Sequence, residues 1–349
     1  MTNAAPLVAL GVAVALTPLV ALLARRIGFV SAPRSDRLHE TPTPFLGGLA
    51  LLAAVTAGLW VDGLLVMTVA GRPATLLNAP PASILFFLAF GAFLLGLLDD
   101  WRNLSPPAKM AGQVVIAATF LTVGGVGPFS RPAFDGVLGL VWVIGLMNAC
   151  NFLDNMDGAL AGSALPAAGG LALLSGDPEL RSVALILAGA IGGFLFWNRP
   201  TASIFLGDAG SLLIGAALAM TGWMIAARAA STTAVMLPSA TSIFPAAPWL
   251  VLPLILAWPI FDMTFVTVTR LARGQSPMVG GRDHTTHRLA SWIGGGTRAF
   301  LFVVGASILT ATIGVILATR SAGLAASGLL LVTTGFLALG IRLGRVPVR

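Results

Sequence analysis

Long apolar stretches alternate with short polar breaks along almost the whole chain. Apolar helices of about 17–25 residues are long enough to cross the hydrocarbon core of a bilayer. The pattern therefore predicts an all-α polytopic integral membrane protein with about eleven transmembrane helices. The predicted spans lie near residues 5–24, 45–66, 82–98, 108–126, 136–150, 159–175, 181–197, 206–226, 247–270, 295–318 and 322–342.

Composition supports this interpretation. Of the 349 residues, 57% are hydrophobic and only 9% are charged, whereas soluble domains carry about 25% charged residues. A soluble globular domain is therefore excluded, and because no internal repeat is visible we expect one domain over residues 1–349. The single cysteine, Cys150, excludes an intrachain disulfide framework.

The basic residues predict the orientation. With the N-terminus outside, 15 of the 20 basic residues fall on the cytoplasmic side, as the positive-inside rule requires. The first apolar run is followed by Arg25 and Arg26 and is expected to be a retained anchor. The net charge of +7 comes from residues scattered between apolar spans, so we expect contacts with anionic membrane lipids and no nucleic-acid binding.

The same topology gathers the reactive side chains on one face. All three histidines and the only lysine fall on the cytoplasmic side, together with nine of the 13 acidic residues. These nine are Asp36, Glu40, Asp99, Asp100, Asp154, Asp157, Asp208, Asp262 and Asp283.

Asp99 and Asp100 follow an apolar run directly. Adjacent carboxylates repel each other near an apolar boundary unless a cation is present, and Mg²⁺ is a suitable one. A solvated helix end is the alternative. Asp208 lies between two glycines in "FLGDAGS", which suits close approach of a ligand but also an ordinary tight turn.

The segment "NACNFLDNMDG" has a polar residue at every third position. If it is helical, Asn148, Asn151, Asp154 and Asp157 form a polar seam that cannot face lipid. A structural contact between helices is the alternative interpretation.

Two further features lie near the C-terminal third. The loop "GGRDHTTHRL" places Arg282, His284, His287 and Arg288 beside flexible glycines, which suits phosphate binding. A zinc site or a simple positive-inside loop are the alternatives. Asp262 lies within a span and must face the bundle interior, for a structural or a functional reason.

Together these groups indicate a metal-dependent site for a phosphorylated, partly lipidic substrate, because phosphoryl transfer needs mainly cations and alignment. Hydrolysis, ion transport and glycerophospholipid synthesis stay open on this basis. A secondary transporter would place its ionisable residues near the membrane midplane. A catalytically silent scaffold would not require this set of aspartates.

The ordered motifs "LLDDWRN … K", "NACNFLDNMDG", "FLGDAGSLLIG", "WPIFDMT" and "GRDHTTHRL" resemble the polyprenyl-phosphate N-acetylhexosamine-1-phosphate transferases. The resemblance implies a Mg²⁺-dependent enzyme (Mn²⁺ as substitute) of the bacterial inner membrane. It would transfer a sugar-1-phosphate from a UDP-sugar to polyprenyl phosphate and release UMP, for cell-wall, O-antigen or teichoic-acid synthesis. Possible homodimers are also implied. The N-acetylglucosamine branch fits better than the alternative, phospho-N-acetylmuramoyl-pentapeptide transferase.

The resemblance also implies roles for individual residues. The expected catalytic residues are Asp99, Asp100, Asp208, His284 and His287. The expected Mg²⁺ ligands are Asp208, Asp100 and Asp154. The expected substrate contacts are Lys109, Asn148, Asn151, Asp154, Asp157, Phe205, Arg282 and His39.

Two positions depart from the family pattern: Asn155 replaces a usual glycine, and Thr286 stands where relatives often have histidine. Both fall in segments expected to contact the donor. For Asp99 we expect an electrostatic role rather than removal of a proton, since a phosphate monoester with a second pKa of about 6 is already largely dianionic at neutral pH.

Overall fold

The computed structural model describes residues 4–31, 42–65, 68–69, 72–73, 79–124, 127–129, 131–236, 247–278 and 281–347. Over these residues the chain is almost entirely helical, with two short antiparallel hairpins, β1–β2 and β3–β4. In chain order the elements are α1 (Ala4–Arg26), β1 (Val30–Ser31), β2 (Thr43–Pro44), α2 (Gly47–Val61), β3 (Thr68–Val69), β4 (Arg72–Pro73), α3 (Pro81–Arg102), α4 (Pro106–Val123), α5 (Pro132–Leu153), α6 (Ala159–Leu174), α7 (Pro178–Asn198), α8 (Gly207–Met236), α9 (Ala247–Ile255), α10 (Ala257–Leu271), α11 (Thr285–Ile293), α12 (Gly296–Ala318) and α13 (Ala322–Gly344).

Each predicted span coincides with a helix or, for residues 247–270, with the pair α9–α10, which is bent by 77°. Among the described residues, seven helices are long and apolar enough to cross a membrane, and the bent pair is an eighth candidate. Helices α2 and α6 are apolar but shorter. A polytopic helical membrane protein is therefore confirmed, while the count of eleven spans stays a prediction.

Local sequence explains where several helices begin and end. Helices α3, α4, α5 and α7 all have proline in their first turn, where the missing N–H has no partner to lose and the fixed φ suits the helix. Helix α3 ends at Asn103, which adopts the left-handed conformation with φ of 50°, as asparagine tolerates at helix ends.

Helix α8 is the central helix of the bundle. Of its membrane-length stretch 94% is buried, against 6% for α13. It packs mainly along α3 and α5. Gly96 of α3 touches the first turn of α8, and a Cβ atom there would lie 2.2 Å from the carbonyl oxygen of Asp208. The end of α3 is thereby held directly against the start of α8.

Candidate active site

The start of α8 is capped by a carboxylate from another helix. Asp100 accepts hydrogen bonds from the backbone N–H groups of Asp208 (2.9 Å) and Ala209 (3.0 Å). An anion at a helix N-terminus satisfies unpaired amides and is favoured by the helix dipole. Gly207 has φ of +72°, and a Cβ atom there would lie 2.7 Å from Oδ2 of Asp100. Asp100 therefore fixes the position of Asp208.

The neighbouring carboxylate, Asp99, faces a different partner. Nζ of Lys109 lies 2.8 Å from Oδ2 of Asp99, forms an ion pair with Asp208, and lies 3.3 Å from Oδ1 of Asn151. We call Asp99, Lys109, Asn151 and Asp208 the carboxylate–lysine cluster. It brings together α3, α4, α5 and α8, and its lysine side chain is only 15% exposed.

Further hydrogen bonds hold this cluster in place. Nδ2 of Asn151 donates to Oδ1 of Asp208 and to Oγ of Ser211, both at 2.9 Å. The other oxygen of Asp99 accepts from the N–H of Leu104 at 2.7 Å. Two carboxylates thus share one ammonium group, so the cluster keeps a formal charge of −1 when all groups are ionised. All the acceptors around Nζ are oxygens.

Asn148 lies one turn before Asn151 on α5 and pairs with a buried glutamine of α4. Its Nδ2 donates to Oε1 of Gln113 at 2.8 Å, and Nε2 of Gln113 donates back at 3.3 Å. This reciprocal amide pair joins α4 and α5 beneath Lys109 and Asn151. Asn148 therefore has a hydrogen-bonded structural partner in Gln113. Its predicted contact with substrate stays a prediction.

The predicted polar seam holds for Asn148 and Asn151 only. Helix α5 ends at Leu153, Asp154 is its C-terminal cap, and Asp157 lies in the turn that follows. The expectation that all four share one helical face is therefore wrong for Asp157. Its Oδ2 instead accepts from the N–H of Ala202, at 2.9 Å, in the segment that leads to α8.

A second group of side chains lies at the start of α11. Nδ1 of His284 lies 2.8 Å from Oδ2 of Asp262, which is fully buried in α10. Oδ1 of Asp262 accepts from the backbone N–H (2.8 Å) and from the hydroxyl of Thr285. Sequence reasoning placed Asp262 in the interior but not at the site. The signal was a charge within a span, 22 residues before a histidine.

Residues 282–288, here called the histidine segment, also contact the loop after α5. The hydroxyl of Thr286 donates to Oδ1 of Asn155, so the two residues that depart from the family pattern bond to each other. The ring of His284 meets Phe152 edge-on, with centroids 5.8 Å apart. These contacts bring the "NFLDNMDG" and "DHTTHRL" motifs to one end of the bundle.

His287 is held neutral in this environment. Burial, together with the nearby His284 and Arg282, lowers the pKa of His287 to about 4. The ring is also hydrogen-bonded to the backbone of Asn155. At neutral pH His287 therefore offers hydrogen bonds rather than a positive charge.

Two arginines of this region have structural contacts. Arg270 donates two hydrogen bonds to the carboxylate of Asp283, from Nη2 at 2.6 Å and from Nε at 2.9 Å. Arg288 donates to the backbone carbonyls of Asp283, Leu343 and Val346. The expectation that Arg288 binds phosphate is therefore replaced by a role in fixing α11 to the end of α13.

Two of the remaining predicted residues, Phe205 and Arg282, lie near the residues described above. Phe205 bonds through its backbone to Gly47 (2.9 Å) and to Pro44 (2.8 Å), immediately before α8. Arg282 lies close enough to His287 to depress its pKa. His39 falls outside the described residues.

Several known proteins are similar to this chain in sequence. Residues 82–228 match the model of glycosyl transferase family 4. A decaprenyl-phosphate N-acetylglucosaminephosphotransferase of Mycobacterium tuberculosis is 33% identical, over 77% of this chain and 71% of its own length. An undecaprenyl-phosphate alpha-N-acetylglucosaminyl 1-phosphate transferase of Thermotoga maritima is 28% identical over 80% and 79%.

A phospho-N-acetylmuramoyl-pentapeptide-transferase of Geobacillus thermodenitrificans is 32% identical, over 60% of this chain and 70% of its own length. It covers less of this chain than the two N-acetylglucosamine enzymes do. The family's matched segment contains Asp99, Lys109, Asn151 and Asp208, which the fold brings into contact. The chain is a member of glycosyl transferase family 4, within its polyprenyl-phosphate sugar-1-phosphate transferases.

Proposed function

We propose that this protein transfers N-acetylhexosamine-1-phosphate from a UDP-sugar to undecaprenyl phosphate or a similar polyprenyl phosphate. An oxygen of the acceptor phosphate attacks the sugar-bearing phosphorus of the donor, the bond from that phosphorus to the bridging oxygen breaks, and UMP leaves. The product is a polyprenyl diphosphate sugar, the lipid-linked start of a cell-envelope glycan. The convergence of Asp99, Lys109, Asn151 and Asp208 is the observation that carries this proposal.

The cluster fits a magnesium ion. Mg²⁺ takes oxygen ligands and is usually held by one or two carboxylates together with water and phosphate oxygens. Asp99 and Asp208 supply two carboxylates and Asn151 an amide oxygen, and these oxygens surround Nζ of Lys109. They are the atoms that would hold the ion beside the lysine. Among the described residues no three His, Cys, Asp or Glu side chains gather to hold a metal by themselves, as expected where substrate completes the shell. When bound, the ion neutralises charge on the phosphates.

The residues of the chain have separate tasks in this proposal. Asp208 and Asp99 would hold the metal, and Lys109 would contribute a positive charge between two polyanionic substrates. Asp100 keeps the start of α8 in place through its two amide contacts and so supports Asp208. The predicted metal ligation by Asp100 and Asp154 stays a prediction; the oxygens of Asp100 accept hydrogen bonds from the backbone of Asp208 and Ala209.

We place this site at the cytoplasmic face of a bacterial inner membrane, with eleven spans, the N-terminus outside and homodimers as the assembly. The positive-inside distribution supports the orientation. Single cysteines introduced into a Cys150→Ser variant, at Arg199 and at Arg320, test it with a membrane-impermeant thiol reagent. Labelling of the first from the periplasm, or of the second only after lysis, contradicts this topology.

UMP release tests the function. Purified protein is mixed with undecaprenyl phosphate and one of three donors: UDP-N-acetylglucosamine, UDP-N-acetylgalactosamine or UDP-N-acetylmuramoyl-pentapeptide. Each reaction is run with Mg²⁺ and with EDTA, and the lipid product is identified by mass spectrometry. We expect UMP and a lipid diphosphate N-acetylhexosamine, with Mg²⁺ required. Folded protein that releases no UMP from any donor contradicts the proposal, and activity with the pentapeptide donor alone assigns the chain to the alternative reaction.

A further inference from the structure

Asp262 is a carboxylate in the interior of a membrane protein. It is fully buried in α10, and an ionisable side chain within a membrane span is costly unless it is paired. Among the described residues, its carboxylate is hydrogen-bonded to two consecutive residues, His284 and Thr285, at the start of α11. The three donors that it accepts from therefore all serve to place this one turn.

A helix cap explains only part of this arrangement. The backbone N–H and the hydroxyl of Thr285 account for Oδ1, which leaves Oδ2 for the imidazole of His284 at 2.8 Å. An ionised carboxylate accepts hydrogen bonds and donates none, so Nδ1 must carry the proton. In the neutral ring the lone pair then lies on Nε2.

The ring is also held in orientation by its packing, next to the loop that follows α5. Phe152 packs against it edge-on, and Thr286, two residues further on, bonds to the loop that carries Asp154 and Asp157. The His284 side chain is 9% exposed, and Nε2 has no hydrogen-bond partner among the described residues. Nε2 is therefore the atom that this side chain presents to a ligand.

We propose that Asp262 is a positioning residue that holds His284 as the Nδ1–H tautomer, with Nε2 turned toward the donor sugar diphosphate. This inference rests on the proposed function. While neutral, Nε2 accepts a hydrogen bond from a sugar hydroxyl; once protonated, it donates to a diphosphate oxygen, and the carboxylate of Asp262 stabilises the imidazolium. In both states the carboxylate acts through His284 and does not touch substrate.

Nitrogen NMR tests the tautomer directly. The chain has three histidines, so ¹⁵N-histidine labelling gives a simple spectrum, and His39→Gln and His287→Gln identify the remaining ring as His284. We expect Nδ1 of His284 to be protonated in the wild-type protein. A neutral ring protonated at Nε2 overturns the proposal. This measurement needs no variant of Asp262 and stays decisive if such a variant does not fold.

Kinetics test the consequence. Asp262→Asn keeps the size and one acceptor oxygen but offers an N–H group to Nδ1, so the tautomer should reverse. We expect kcat to fall about 10- to 100-fold, the range for partners that orient a histidine, with KM for the UDP-sugar changed less than threefold. Asp262→Asn that reverses the tautomer yet keeps kcat within threefold of wild type overturns the proposal.

Thr285→Val is the matched control. It removes the hydroxyl donor from Oδ1 of Asp262 and leaves the imidazole contact intact, so Tm should fall while kcat stays within about threefold. An equal loss of kcat in Thr285→Val and Asp262→Asn shows that Asp262 is only a helix cap and overturns the proposal. If wild-type protein releases no UMP, the proposed function fails, whereas the NMR result still decides the tautomer.

Discussion

The carboxylate–lysine cluster and the histidine segment lie at the same end of the bundle but are stabilised differently. In the cluster, one ammonium group is shared by two carboxylates from α3 and α8, so negative charge remains in excess. In the histidine segment, Asp283 is neutralised by Arg270 and His287 is uncharged, since its pKa is about 4. The cluster therefore offers negative charge, and the histidine segment offers directed hydrogen bonds.

This difference indicates which part of the proposed reaction the cluster and the histidine segment each serve. A cluster with uncompensated negative charge attracts a cation and, through it, phosphate oxygens. A segment with the neutral imidazole of His287 beside Arg282 is suited to hydroxyl groups and a single anionic group. Substitutions in the cluster should therefore abolish chemistry, whereas changes in the histidine segment should act through stability, orientation and donor recognition.

Asp208→Asn should have the largest effect. It removes the carboxylate that pairs with Lys109 and accepts from Asn151, and we expect kcat for UMP release to fall about 10²–10³-fold, as for loss of one electrostatic stabiliser. Asp177→Asn is the control: Asp177 caps α7 and pairs with Arg228 at 2.7 Å, away from the cluster, so Tm should fall with kcat kept. If Asp208→Asn keeps its activity, the carboxylate–lysine cluster does not take part in the reaction.

His287 should make the protein less stable in acid. An unfolded histidine takes up its proton near pH 6.5 but the folded ring only near 4, so between these values the unfolded state binds more protons. The free energy of unfolding should fall by up to about 3 kcal/mol as pH drops through this window.

The comparison with His287→Gln isolates this contribution from that of the carboxylates. Both proteins are unfolded thermally in detergent at pH 7, 6, 5 and 4. The difference in stability between wild type and His287→Gln should shrink steadily as the pH falls to 4. A constant difference between the two proteins over this range means that His287 titrates normally in the folded state.

Much of the fold follows from apolar length alone. All eleven apolar runs contain helices, because a helix satisfies the backbone of a long apolar segment within the segment itself, as a bilayer requires. The bend between α9 and α10 and the nine-residue helix α11 did not follow. Helix α11 is short and polar enough to resemble a loop, and it exists because Asp262 and Arg288 fix it to other helices.

The site divides in the same way. Asp99, Lys109, Asn151 and Asp208 were predicted as site residues from the resemblance of their motifs to the family, and the fold brings the four into contact. The separate tasks of Asp99 and Asp100 were not, because adjacent helical residues point about 100° apart and only the position of α8 decides which carboxylate meets Lys109. The partner of Asp262 is set by tertiary packing, which no local pattern encodes.

Lys109 should report the state of the cluster through its reactivity. It is the only lysine, so an amine-acylating reagent modifies one side chain and the α-amino group, which peptide mass mapping separates. Two carboxylates pair with the amine, and loss of one of them in Asp99→Asn should therefore raise its acylation rate about tenfold. Asp177→Asn serves as the control with an unchanged rate. Equal rates in wild type and Asp99→Asn contradict the ion pair.

The bond between Asn155 and Thr286 should give the smallest effect, and it tests how firmly the histidine segment is joined to the loop after α5. Asn155→Ala and Thr286→Val each remove one partner and should lower kcat/KM for the UDP-sugar only a few-fold. Since one bond is lost in both, the double variant should be no worse than the more impaired single, a coupling of about 0.5–1.5 kcal/mol. Thr334→Val on exposed α13 removes a similar hydroxyl and should change nothing. Additive losses would mean that the two residues act independently on the donor.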